Sequence, residues 1–235
     1  MINSKVKPRL FLFPFAGGNY YSFQFMLPLL KDFEVVPLEL PGRGKRIRED
    51  LLNDLEEATL DYYQQITKTG LSAPFLIYGH SMGAYLAYIV CSMIEKDYKI
   101  PICLLVSGNA GPGTFGNRKR YLLSDPEFKE ELKELGGFPE ELLNDNETYE
   151  FFKPILKKDF EIVEKFTSET DPVIKAPIFA MMGNHEVQHD KIGNWNKFTM
   201  SGFSYEIMEG GHFFIHHHPE RIAQIIKSQY YKLHS

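Results

Sequence analysis

Apolar residues gather along this chain in short runs bounded by Gly, Pro or Asn: RLFLFPF (9–15), FEVVPLEL (33–40), PFLIYGH (74–80), ICLLVSGN (102–109), APIFAMMG (176–183) and FSYEIMEGG (203–211). Most are nearly continuous in hydrophobicity, as expected for parallel strands buried on both faces. Between them lie helix-like segments at about 19–31, 51–70, 81–97 and 190–199, with a closing helix at about 218–233. Alternating strands and helices predict an α/β fold, a mostly parallel sheet flanked by helices.

One interval breaks this rhythm. More than sixty residues separate Asn109 from Lys175, far more than a crossover needs. They contain DPEFKEELKEL, PEELLND and ETYEFFKPILKKDFEIVEKF, each charged on one side and apolar on the other. We expect a helical lid at about 115–170, inserted after the fourth strand into a single domain spanning 1–235. A lid over strand ends suggests a site for something apolar.

The strongest chemical motif is GHSMG at 79–83. It is a G-x-S-x-G pentapeptide entered from the strand PFLIY and left through the apolar helix AYLAYIVCSMI, the strand–turn–helix setting that exposes a nucleophilic serine. Ser81 then needs a base and an acid, in the chain order Ser, acid, His. His212, after the last strand in EGGHFF, is the expected base. His216, His217 and His218 run into Pro219 and a helix start, where solvated or packing roles fit better, and His80 is expected to support the turn. The acid belongs in the loop after APIFAMMG, where Glu186 is the first choice and Asp190 the second.

That same loop spells HEVQH at 185–189, which on a helix can hold zinc through two histidines with a glutamate as base. Here the preceding residues form a strand stopped by Gly183, and no third ligand stands at a suggestive spacing apart from the 216–218 cluster. The serine reading is preferred, and no metal or bound cofactor is expected.

Bulk properties narrow the classes further. A formal net charge of -5 gives no support to nucleic-acid binding. No apolar run approaches the roughly 20 residues needed to span a bilayer. Cys91 and Cys103 are expected to be buried free thiols. The stretch SKVKPRLFLFPFAGG imitates a signal peptide, but Pro14 breaks its apolar core and cleavage would remove part of the expected site. Cytoplasmic residence is the expectation.

The ordered set FPFAGG, LPGRG, GHSMG, LGGFP, LKKDFEIVEKF and EGGHFF, from about residue 9 to 225, resembles the type II thioesterases. These are stand-alone α/β-hydrolases that accompany non-ribosomal peptide and polyketide synthases, including those of antibiotic biosynthesis. The resemblance implies hydrolysis of acyl thioesters on the phosphopantetheine arm of an acyl or peptidyl carrier protein, which clears misacylated or stalled synthases. It implies Ser81 as nucleophile, His212 as base and an oxyanion hole from the backbone N–H groups of Met82 and Ala16, with Phe15 the alternative second donor. The family usually carries aspartate where this chain has Glu186. Its mobile lid implies that Phe128, Leu132, Leu135, Phe151, Phe152 and Ile155 shape an acyl or pantetheine channel. Carrier proteins are generally acidic, so Arg43, Lys45, Arg46, Arg48, Arg118, Lys119 and Arg120 are candidate contacts, and the chain is expected to act as a monomer. An acyl-CoA thioesterase or carboxylesterase of the same fold is the alternative, and a non-catalytic protein binding an acyl ligand or partner a remoter one.

Overall fold

The computed structural model describes residues 6–97, 99–114, 116, 118–165 and 171–232. Its strands are β1 (Arg9–Phe13), β2 (Glu34–Pro37), β3 (Phe75–His80), β4 (Leu104–Ser107), β5 (Ile178–Gly183) and β6 (Phe203–Met208). They form one sheet in the order β2-β1-β3-β4-β5-β6, and every pairing is parallel. The helices are α1 (Leu55–Thr69), α2 (Met82–Lys96), α3 (Asp125–Leu135), α4 (Glu140–Asn144), α5 (Asn146–Glu164) and α6 (Pro219–Lys232).

Strands β3, β4 and β5 are buried along their whole length, which is why their sequences do not alternate. Successive residues nonetheless serve different cores. Phe11, Phe13 and Ile77 pack with α1 and α2 on one face, whereas Leu10, Leu12 and Leu76 pack with Met26, Ile222 and Ile226 on the other. Strand β6 lies at the sheet edge and leaves Tyr205 and Ile207 exposed. Among the described residues no helix is long and apolar enough to cross a membrane.

Local chemistry sets the helix ends. Asp54 accepts from Glu56 N–H and Glu57 N–H at the start of α1, which stops at Gly70 with φ +78°. Ser124 begins α3 and Gly136, left-handed at φ +73°, ends it. The buried Glu95 of α2 accepts from Lys175 N–H at 2.7 Å and Ala176 N–H at 2.8 Å, fixing the chain as it enters β5.

Helices α3 to α5 fill the interval between β4 and β5. They share a core of Phe128, Leu132, Leu143, Tyr149, Leu156 and Phe160, while Ile162 and Val163 at the end of α5 join the main core. The expected limits of this insertion, Phe115 and Thr170, lie outside the described residues.

Two expected helices are wound differently. Residues 19–31 make successive turns and a short 3-10 segment, Leu27–Leu29, instead of an α-helix. Pro28 has no N–H for the ladder, and side chains of Asn19, Ser22 and Glu39 take the N–H groups of Tyr21, Asn19 and Tyr20. The segment His189–Phe198 is also 3-10. There Trp195 is fully buried and its indole N–H donates to Asn109 O at 2.8 Å, anchoring the segment against the end of β4.

Candidate active site

Strand β3 turns sharply into α2 at Ser81, whose φ of 57° and ψ of -119° make it the one non-glycine residue with positive φ among those described. Backbone in such regions costs about 1–3 kcal/mol and persists only where the surroundings enforce it. They do so here. A Cβ on Gly79 would lie 2.2 Å from Gly83 O, and one on Gly83 would lie 2.2 Å from Phe13 O. Ser81 N–H donates to Ser107 O at 2.7 Å, and Asn109 Nδ2 donates to Ser81 O at 3.0 Å.

The loops after β5 and β6 bring two side chains to this serine. His212 Nε2 lies 2.8 Å from Ser81 Oγ, and His212 Nδ1 lies 2.7 Å from Glu186 Oε2. The carboxylate at Nδ1 favours the tautomer with its proton there, so that Nε2 accepts from the serine hydroxyl. The other oxygen, Glu186 Oε1, accepts from Gly183 N–H at 2.9 Å. Glutamate thus folds back over its own turn and holds itself at both oxygens, which accommodates its extra methylene. Asp190 is exposed at the beginning of the 3-10 segment and is not bonded to His212.

HEVQH does not form the helix that a zincin requires. Residues 184–188 are turns, Glu186 is engaged with His212 and Gly183, and His189 Nδ1 is bonded to Glu186 O at 2.8 Å. Among the described residues no group of three or more His, Cys, Asp or Glu is arranged to hold a metal. Of the histidine run, His216 stacks on Phe213 and His218 Nε2 bonds to Glu209 O. Both cysteines are buried and free, and burial pushes the Cys103 thiol up to about 12.

His80 lies beneath the site, fully buried, with its ring centroid 5.2 Å from that of His212. Its Nδ1 is bonded to Ser107 Oγ at 2.8 Å, and that hydroxyl also meets Tyr78 OH at 2.9 Å. Burial, and then the neighbouring His212 and His216, hold its pKa well below the ordinary 6.5. The folded protein therefore keeps His80 neutral where the unfolded chain takes up a proton, and stability is lost as pH falls below the unfolded value. We expect His80 to contribute a slope of up to about 1.4 kcal/mol per pH unit below roughly pH 6.5. Urea unfolding of the wild type and His80→Gln between pH 5 and 7.5 checks this: the variant's stability should depend less steeply on pH.

Met82 opens α2 beside the serine, and Ala16 lies in the turn after β1. Neither N–H group has an acceptor among the described residues. Two hollows meet here, of about 220 and 140 Å³, sharing Ala16, Ser81 and His212. The larger has a mixed lining, with Asn109, Thr114, Arg118 and Gln188 beside apolar groups such as Ala110, Leu135, Val163 and Met182. The smaller is lined chiefly by Phe15, Leu132, Phe138, Leu156 and Phe213. Arg120 stands between them, stacked 4.1 Å over Phe160 and paired with Glu164.

The sequence-derived lining is only partly matched. Leu132 and Leu135 reach the hollows, while Phe128 is interior to the α3–α5 cluster, Ile155 is buried outside both hollows, Phe152 only packs on that cluster, and Phe151 is half exposed. Leu156 and Phe160 were missed, although their spacing of four within LKKDF places them on one face of α5. Arg43 requires a correction as a surface contact: it is 3% exposed and paired with the buried Asp159. Arg46 is held by Glu49 and Asp61. Lys45, Arg48, Arg118 and Lys119 remain exposed.

Known proteins are similar to this chain over most of its length. Gramicidin S biosynthesis protein GrsT of Aneurinibacillus migulanus is 32% identical over 222 residues, covering 92% of this chain and 86% of GrsT. The RedJ thioesterase of the prodiginine biosynthetic pathway in Streptomyces coelicolor has a TM-score of 0.88 at 28% identity, over 95% of this chain and 91% of RedJ. BorB, a type II thioesterase from the borrelidin biosynthetic cluster, has a TM-score of 0.85 at 28% identity, over 95% and 93% of the two chains. The α/β-hydrolase fold of these thioesterases is the fold described above, and residues 8–230 match the thioesterase domain model. With nearly its whole length accounted for in this way, the chain belongs to the thioesterase domain family and is a thioester hydrolase.

Proposed function

We propose that the chain removes acyl groups from the phosphopantetheine arm of acyl or peptidyl carrier proteins, with Ser81 as nucleophile, His212 as base and Glu186 as the orienting acid. The observation that carries the mechanism is the unbroken hydrogen-bond path from Glu186 through His212 to Ser81. His212 takes the hydroxyl proton as Ser81 Oγ attacks the thioester carbonyl. The N–H groups of Met82 and Ala16 receive the oxyanion, where such a donor is worth about 3–4 kcal/mol. Ala16 lines both hollows and Phe15 only the apolar one, which favours Ala16 as the second donor. Collapse of the tetrahedral intermediate breaks the carbon–sulfur bond, and His212 returns the proton to the leaving thiolate. Water, activated by the same imidazole, then releases the acid and restores the serine. No metal or bound cofactor takes part.

The two unlike hollows support a division of the substrate. The more apolar one suits an acyl group, and the mixed one, with Asn109, Thr114 and Gln188, suits the amide-bearing pantetheine arm. The named relatives, with their biosynthetic roles, support editing of non-ribosomal peptide or polyketide synthases as the setting. On this reading the enzyme is a cytoplasmic monomer, one domain with α3–α5 as its lid.

Mass spectrometry of an acetylated phosphopantetheinyl carrier protein tests the substrate class, set beside acetyl-CoA and an acetyl ester at equal concentration. We expect kcat/KM to be at least tenfold higher on the carrier. Equal or higher values on CoA or on the ester would move the assignment to an acyl-CoA thioesterase or a carboxylesterase.

A further inference from the structure

The oxyanion side of the site is fastened to the lid through a buried ion pair. Arg43, in the loop after β2, and Asp159, on α5, are 3% and 0% exposed. The guanidinium meets the carboxylate at two points, Nη1 to Oδ2 at 2.5 Å and Nη2 to Oδ1 at 2.7 Å. Asp159 Oδ2 also accepts from Gly17 N–H at 2.7 Å. Desolvating two charges offsets most of what such a pair returns, and an apolar pair of similar volume is often as stable. Global stability is therefore a weak reason for its presence, whereas position is a direct one.

The geometry around Ala16 shows what is positioned. The peptide between Phe15 and Ala16 is fixed where Gly18 N–H donates to Phe15 O at 2.8 Å. The next peptide, between Ala16 and Gly17, is fixed by Asp159. Gly17 has φ +75°, and a Cβ there would lie 2.6 Å from Leu156 Cδ2. Leu156 sits one turn before Asp159, so α5 touches this turn twice, once through an apolar contact and once through a charged acceptor.

We infer that Asp159 is a positioning residue for the oxyanion hole: aimed by Arg43, it holds the Gly17 amide so that the preceding Ala16 N–H faces Ser81. Because it is carried on a lid helix, the hole is complete only while α5 is seated. Acyl transfer and lid docking are thereby one event. This rests on the serine acyl-transfer reading of the site and is independent of the carrier protein as substrate.

The test compares two uncharged pairs, one of which offers an acceptor to Gly17 and one of which does not. Arg43→Met/Asp159→Asn keeps a carbonyl oxygen, and Arg43→Met/Asp159→Leu has none. The readout is phosphonylation of Ser81 by a fluorophosphonate, which uses the nucleophile and the hole but no carrier, so it remains informative if carrier thioesters prove to be poor substrates. For variants with cooperative melting, we expect the maximal labelling rate of the leucine pair to be at least tenfold below that of the asparagine pair, with the half-saturating concentration unchanged. Equal maximal rates would overturn the inference. Should the leucine pair not fold, Arg43→Met/Asp159→Ser makes the same comparison, its hydroxyl being too short to reach Gly17. Failure of both pairs to fold would assign Arg43 and Asp159 to structure alone and overturn it too.

Discussion

Replacing Ser81 by alanine is expected to lower thioester turnover on the order of 10⁵-fold while leaving the protein folded. Loss of a nucleophile removes the covalent route altogether, and what remains is the modest rate supplied by binding and the oxyanion donors. The fold should scarcely respond, because the turn is enforced by Gly79, Gly83 and the Ser81 N–H to Ser107 O bond, none of which involves the hydroxyl. Glycine at the same position tests the strain itself. Ser81→Gly should be as inactive as the alanine variant yet melt at a higher temperature, since glycine adopts φ 57° without penalty. Single-turnover deacylation and thermal melting of the two variants give both results.

Glu186→Gln is the second large effect. We expect kcat to fall by about 10³ to 10⁴-fold with KM little changed, by analogy with carboxylate-to-amide changes in other triads. The carboxylate accepts at both oxygens, from Gly183 N–H and from His212 Nδ1. A carboxamide keeps only one accepting oxygen. If that oxygen stays on Gly183, the amide N–H₂ faces Nδ1 and stabilises the tautomer with its proton on Nε2, where it cannot accept from Ser81. Steady-state kinetics at several pH values separates this from a loss of binding, and added chelator should alter neither wild type nor variant. Activity that survived Ser81→Ala but failed with chelator would return HEVQH to the active site.

Much of the site was legible because it is written locally. GHSMG between an apolar strand and an apolar helix marks the turn that carries Ser81, and EGGHFF after the last strand marks His212, which the fold bonds to it. The acid was harder, since a loop containing His185, Glu186, His189 and Asp190 offers several chemistries, and only the three-dimensional placement sets Glu186 on His212. The missed features depend on distant pairings. Arg43 reads as a solvated loop cation within a basic stretch, and nothing near it in sequence announces Asp159, 116 positions away. The segment 19–31 reads as a helix by its apolar spacing, yet Asn19, Ser22 and the remote Glu39 capture the N–H groups that an α-helix would have used. Phe213 is adjacent to His212, but its place in the more apolar hollow follows from its packing on Phe15, 4.9 Å away, and on Gly137 between α3 and α4.

The sheet order also sets a timetable for the chain as it is synthesised. The turn with Ala16 and the turn at Ser81 leave the ribosome before His212, which follows Ser81 by 131 positions. At about 5–20 residues per second that interval lasts roughly 7–26 s. Throughout it Ser81 has emerged without His212, to which its hydroxyl is bonded in the folded protein. Strand β4, whose Leu104, Leu105 and Val106 are wholly buried in the finished sheet, presents an unpaired edge until β5 arrives. Such an edge pairs readily with other chains, so the period between the emergence of β4 and the docking of β5 leaves the growing sheet open to association with them.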